Sequence, residues 1–383
     1  MSAWFPGERA GQPADDERTC RRPRPGVTTS ADRACRDRAG AGAQHGFAAR
    51  AVRAPRHGPG AGAARVRDTW RVPGPPAPPA LGALLARGPV VLDGGLATEL
   101  EARGHDLGGP LWSARLLRDA PEAIRAVHAA YIAAGAQVII TASYQASEEG
   151  FARLGTGPAE AGALLRRSVA LAREARDAAG ATGVLVAASL GPYGAMLAGG
   201  QEYSGDYGTV ALRDVERFHE RRLRSLLAAG PDCVACETVP RADEAAALAR
   251  VLDRLAAPDA WISFACRDGR RTGHGEPIEE AVAAAVTSPR VIAVGVNCTA
   301  PEHVDELLHR ARAVTDLPLV AYPNDGRAWD AAGRRWSEPG RGRLPAEAVR
   351  TWVRAGAALV GGCCGLGPDA VRGVAAAVGA AED

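Results

Sequence analysis

The run Val291-Ile292-Ala293-Val294-Gly295-Val296-Asn297, the helically spaced segment Pro301 to Val314, and the run Leu319-Val320-Ala321-Tyr322 together decide the fold. Both flanking runs are apolar almost without a break. A strand wetted on one face alternates apolar and polar residues, whereas one covered on both faces reads as these do. The unit is therefore strand, crossover helix, strand, with the two strands parallel and buried.

The same grammar extends in both directions. Further buried runs are Val90 to Asp93, Gln137 to Ser143, Val184 to Leu190, Asp232 to Glu237, Trp261 to Cys266 and Ala358 to Gly362. Helical spacing fills the intervals at Pro121 to Ala134, Ala159 to Ala179, Leu212 to Ala228, Arg241 to Leu255 and Leu344 to Ala355. Eight strand and helix repeats point to an α/β fold closed as a (β/α)8 TIM-type barrel. An open doubly wound sheet is the competing architecture. The turn Asp93-Gly94-Gly95-Leu96-Ala97-Thr98 lacks the GxGxxG spacing that a dinucleotide site on such a sheet needs.

Residues 1–78 read differently. They are rich in Arg, Pro, Gly and Ala, show no sustained apolar period, and end in the proline-rich run Pro73 to Pro79. We expect a disordered extension there, carrying Cys20 and Cys35, and a barrel domain over 79–383. Residues 1–75 hold 14 Arg against 7 acidic residues, so the formal charge of +2 leaves −5 for the remainder. The barrel thus offers no basic stripe for a nucleic-acid partner. No stretch reaches 18 consecutive apolar residues and no secretory h-region is present, which gives the expectation of a cytoplasmic protein without membrane contact. All 46 basic residues are Arg, which excludes Schiff-base lysine chemistry and a P-loop. The oligomeric state is not legible.

In a barrel of this kind the C-terminal strand ends are neighbours. They bring together Asp93-Gly94-Gly95, Ser143-Tyr144-Gln145, Gly191-Pro192-Tyr193, Glu237-Thr238, Cys266, Asn297-Cys298, Tyr322-Pro323-Asn324 and Gly362-Cys363-Cys364-Gly365. Cys298, Cys363 and Cys364 place three soft sulfur donors around one point. That set suits Zn2+ with a fourth position open, and Gly361, Gly362 and Gly365 give the backbone room to turn both adjacent cysteines inward. Cys233 and Cys236, three apart on one strand, point to opposite faces and read as core. The histidines form no HExxH pattern and read as solvated, as do Glu279-Glu280 and Arg221-Arg222. An electron-rich zinc held by thiolates is a poor activator of water but a good activator of an incoming thiol, so alkylation of that thiol is the expected chemistry.

Several motifs in order carry a family resemblance. Val91 to Leu100, Thr141 to Ala146, Ser189 to Ala195, Glu202-Tyr203 with Gly205-Asp206-Tyr207, Glu237 to Pro240, Gly295 to Thr299 and Gly361 to Gly365 resemble the homocysteine S-methyltransferase family, over residues 88 to about 380. Within it the chain looks like the branch that uses S-methylmethionine or S-adenosylmethionine as methyl donor in methionine biosynthesis. The resemblance implies a metal-binding transferase in which Cys298, Cys363 and Cys364 bind zinc and homocysteine sulfur takes the open position. It also implies that Asp93, Gly94, Gly95 and Glu237 hold the amino-acid end of homocysteine, with Thr141 and Asn297 as further binding candidates. Tyr144, Tyr193, Tyr322 and Trp329 are candidates for cation–π contact with a sulfonium, or for packing. No acid or base is needed at the methyl carbon. Betaine as donor, selenium acceptors, and a non-catalytic zinc-binding barrel are the alternatives.

Overall fold

The computed structural model describes residues 80–380 apart from 110, 328, 331–334 and 337–339, and only the backbone of 329–330 and 335–336. The expected extension 1–78, with Cys20 and Cys35, and the Trp329 ring lie outside the described residues.

Eight parallel strands form one sheet: β1 (Val90–Val91), β2 (Val138–Ile140), β3 (Leu185–Leu190), β4 (Cys233–Val239), β5 (Ala260–Phe264), β6 (Val291–Asn297), β7 (Leu319–Tyr322) and, after the two-stranded hairpin of β8 (Trp329–Asp330) and β9 (Arg335–Trp336), β10 (Ala357–Val360). Their order is β1-β10-β7-β6-β5-β4-β3-β2, and a parallel bridge from Leu92 to Val138 joins the two ends. The sheet closes into the expected TIM-type barrel. Gln137 secures the seam, because its N–H donates to the Val91 carbonyl at 2.8 Å while its side-chain oxygen accepts from the Val91 N–H at 2.9 Å.

Strand alternation divides the apolar residues between two cores. Val90, Leu92, Val138, Leu185, Cys233, Trp261, Val320 and Leu359 fill the barrel interior, while Val91, Ile139, Val186, Cys236, Ile262, Val294 and Val360 meet the surrounding helices. Cys233 and Cys236 are accordingly buried on opposite faces, as expected. Each fully buried aliphatic side chain contributes about 1.5–3 kcal/mol, so a sheet buried on both faces is strongly held. A short helix, Leu81–Leu85, is pinned by a bond from the Gly82 N–H to Asp259 at 3.1 Å, and its Leu81 and Leu84 join the interior core. Gly82 sits beside Asp259 and Ile292, at the starts of β5 and β6, which places the helix at the end of the barrel away from the strand C-termini.

Helices flank the strands where the spacing places them, at Pro121–Ala133, Pro158–Ala178, Leu212–Leu227, Ala242–Arg254, Pro301–Arg312 and Ala346–Arg354. Helices Ile278–Ala285 and Pro368–Gly379 complete the ring, and short helical turns at Leu96–Ala102, Tyr193–Leu197 and Gln201–Ser204 sit in the loops above the C-terminal strand ends.

Candidate active site

The three cysteines converge because two loops are tied to each other through the backbone. Cys298 follows β6 directly in a left-handed conformation, φ 47°, with its N–H donating to the Tyr322 carbonyl at 3.0 Å. The Gly362 N–H donates to the Asp93 carbonyl at 3.2 Å and the Cys363 N–H to the Pro323 carbonyl at 2.7 Å. The Gly365 N–H reaches Thr98 Oγ1 at 2.8 Å. Gly365 has φ 82°, and a side chain there would run into the Asp325 carboxylate, so glycine is required to let the loop turn both sulfurs inward.

The three Sγ atoms lie within 4.8 Å of one another. Cys364 Sγ is 3.9 Å from Cys298 Sγ and 3.9 Å from Cys363 Sγ, while Cys298 and Cys363 are joined as a disulfide. A tetrahedral ion with metal–sulfur bonds of about 2.3 Å requires sulfur–sulfur edges of roughly 3.8 Å. Two edges meet that requirement, and reduction of the Cys298–Cys363 bond completes the donor set. Burial, with Asp325 and Glu237 nearby, pushes the Cys364 thiol up to about 12. A cation among the sulfurs reverses that shift and stabilises thiolate. The donor set fits a soft divalent metal.

Beside the sulfurs stand two buried carboxyls. Asp93 Oδ2 accepts from the Ile140 N–H at 2.7 Å and Oδ1 from the Tyr322 hydroxyl at 2.9 Å. Burial, aided by Glu237, raises Asp93 well above the usual carboxylate range. Glu237 is raised to about 7 by burial, against a bond that its Oε1 accepts from the Ser189 hydroxyl. Neither carboxyl has a basic side chain bonded to it among the described residues. They offer acceptors to an ammonium group, which would draw both back toward ionisation. Gly94 and Gly95 line the same cavity, pressed against the Leu366 and Cys363 carbonyls; the Gly95 N–H is committed to Leu366 at 2.9 Å.

Thr141 and Asn297 are not brought to the cavity wall. Thr141 Oγ1 accepts from the Ser189 N–H at 3.0 Å and pairs with Ser143 Oγ at 2.7 Å. Asn297 Oδ1 accepts from the Thr238 N–H at 2.6 Å and from Ser263 at 2.8 Å, and Nδ2 donates to Thr238 Oγ1 at 2.7 Å. Thr238, a β-branched residue at φ 61°, is thereby held in a strained conformation that sequence reading had no means to see. Thr238 and Cys298, both left-handed, line the cavity.

The cavity holds about 680 Å³ of empty space, part of it open solvent. Its further wall is Trp112, Tyr144, Glu202 and Tyr203, and Tyr322 lies on the Asp93 side. The Tyr203 hydroxyl lies near the Cys364 sulfur and the Tyr144 hydroxyl near Thr238. Trp112 was not marked by any pattern. Tyr193 does not line the cavity; it packs on Tyr207 and Phe218 with ring centroids at 5.3 and 5.2 Å.

Three expectations of solvation are corrected. Arg222 is buried, and its guanidinium donates to the carbonyls of Ser143, Tyr144, Ala146 and Gly191 at 2.7–3.1 Å, holding the β2 and β3 exit loops together. His219 is buried against Glu244 Oε1 at 2.8 Å, and the same carboxylate accepts from the Tyr193 N–H and the Tyr207 hydroxyl. His128 is also fully buried, which lowers its pKa to about 4 and keeps it neutral.

Residues 90–378 match the family model described as homocysteine S-methyltransferase. The chain belongs to that family. It is 48% identical over 313 residues to homocysteine S-methyltransferase 4 of Zea mays, covering 78% of this chain and 91% of the relative. It is 45% identical over 285 residues to the homocysteine S-methyltransferase of Escherichia coli, covering 73% and 92%. The solved metallated form of the Escherichia coli homocysteine methyltransferase superposes with a TM-score of 0.69 at 43% identity, covering 77% of this chain and 98% of that one. The homocysteine S-methyltransferase described here is thus an enzyme whose substrates are homocysteine and a methyl donor, and its three-cysteine cluster is a candidate metal centre.

Proposed function

We propose that the enzyme binds zinc through Cys298, Cys363 and Cys364 and makes methionine by moving a methyl group from a sulfonium, S-methylmethionine or S-adenosylmethionine, to the thiol of homocysteine. One observation carries this reading: three convergent sulfurs and two buried carboxyls, without basic partners among the described residues, line one cavity. When bound, zinc supplies thiol deprotonation at neutral pH. Asp93 and Glu237 receive the ammonium of homocysteine, and the Gly94–Gly95 turn lines the cavity beside them. Asn297 and Thr141 act indirectly, by fixing Thr238 and the β2–β3 exits.

Methyl transfer from sulfonium to thiolate cancels charge, so the protein's task is to align the two sulfurs and exclude water. The scheme needs no side chain as a proton carrier at the methyl carbon. We take 79–383 as the catalytic unit. A thiolate set requires a reducing compartment, which supports a cytoplasmic location, and no helix among the described residues is long and apolar enough to cross a membrane.

The test is methionine formation by reduced, zinc-loaded protein given homocysteine and, in turn, S-methylmethionine, S-adenosylmethionine and betaine, with and without a chelator. Chelator-sensitive methionine from a sulfonium is expected. Turnover with betaine alone would reassign the donor, and turnover unaffected by complete metal removal would overturn the zinc reading.

A further inference from the structure

Glu202 is left without a function by the homocysteine contacts. Its Oε2 is buried and has no hydrogen-bond partner among the described residues, yet the side chain lines the same cavity as the three sulfurs. A buried carboxylate oxygen without a partner is destabilising unless something arrives to compensate it. Burial raises the Glu202 pKa, opposed only by backbone N–H groups of Glu202 and Gly200.

The segment that carries Glu202 is built to stay in place. The turn Gln201–Ser204 is pressed between Gly194, where an added Cβ would lie 2.5 Å from the Glu202 nitrogen, and Gly273, where it would strike the Tyr203 carbonyl. Arg241 donates to the Gly205 carbonyl at 3.0 Å, and Glu244 anchors Tyr193 and Tyr207 on either side of the turn. Glu202 acts electrostatically on both Tyr144 and Tyr203, and Cys364 acts on the same two rings, so carboxyl and sulfurs flank one aromatic wall. Trp112 extends that wall.

Resting on the sulfonium-donor reading above, we propose that Glu202 is the donor-specificity residue: its carboxylate, with the faces of Trp112, Tyr144 and Tyr203, supplies the countercharge for the sulfonium of the methyl donor. The homocysteine ammonium already has Asp93 and Glu237. The sulfonium must reach the sulfur cluster to react, and Glu202 is the remaining acidic side chain that lines the cavity among the described residues. Because the sulfonium charge diminishes toward the transition state, this contact favours the bound donor over the reacting complex, and its loss falls on KM rather than on kcat.

The test compares wild type, Glu202→Gln and Glu202→Asp, each zinc-loaded and checked by thermal melting. Calorimetry measures binding of S-methylmethionine and of methionine, its neutral thioether counterpart, and steady-state kinetics give KM for both substrates. Wild type should prefer the sulfonium. Glu202→Gln should reduce that preference about tenfold or more and raise donor KM similarly, with homocysteine KM and zinc content unchanged. Glu202→Asp, which keeps the charge, should recover part of the preference even if Glu202→Gln is poorly folded. Unchanged sulfonium preference in Glu202→Gln, or a loss confined to homocysteine KM, overturns the assignment. A wild type that makes no methionine from any sulfonium would instead defeat the functional reading on which it rests.

Discussion

Glu237 connects burial to pH dependence. Its pKa is raised to about 7, so the group is neutral below that pH and charged above it. An ammonium needs the charged form. The kcat/KM for homocysteine should therefore fall as pH drops below about 7, approaching about tenfold per pH unit, and Glu237→Gln should remove that limb while lowering the plateau. A pH profile of both proteins checks this; an identical acid limb in the variant would assign it elsewhere. At the cysteines, Cys298→Ser, Cys363→Ser and Cys364→Ser should each lose bound zinc and reduce methionine formation by about a hundredfold or more, since even residues one shell further out typically cost 10–100-fold. Metal content and turnover measured together test it. Those cysteines were legible because sulfur donors at strand ends have few other reasons to gather. Asn297 shows what was not legible: its type and position were plain, but its bonds to Thr238 and Ser263 depend on the left-handed Thr238 backbone, which no spacing encodes.

Among the elements, the buried strands were the clearest signal, since burial on both faces writes itself into the sequence as unbroken apolar runs. The helix Leu212–Leu227 marks the limit. Its Arg-rich stretch Arg221-Arg222 reads as a wet face, yet only Arg221 is on the surface, paired with Glu148 and Glu149, while Arg222 enters the protein to bond four carbonyls. Carbonyls at strand exits carry no side-chain signature, so their demand for donors is invisible until the loops are placed. Arg222→Met should leave those carbonyls without their donor and destabilise the protein by about 3 kcal/mol or more. On the usual scaling that lowers Tm by about 6–12 °C. Differential scanning calorimetry checks the prediction, and an unchanged Tm would show that the loops hold without the clamp. The turns Tyr193–Leu197 and Gln201–Ser204 escaped notice because four or five residues are too few to show a helical period.

At the scale of the whole molecule, the barrel explains why residues as distant in sequence as Asp93, Glu237, Cys298 and Cys364 meet. Each lies near or just beyond the C-terminal end of a strand, and closure from Leu92 to Val138 brings the first strand beside the last and the second. Two cores, one inside the strands and one between strands and helices, make that scaffold rigid while the loops above it carry the chemistry. The central claim is that Cys298, Cys363 and Cys364 hold a zinc ion with one position left for the substrate thiol. Zinc K-edge X-ray absorption on reduced, zinc-loaded protein before and after adding homocysteine measures it most directly. The account predicts three sulfur ligands at about 2.3 Å with a lighter fourth ligand, changing to four sulfurs on addition of substrate. A sulfur count that stays the same when homocysteine binds, or fewer than three protein sulfurs at the start, would contradict it.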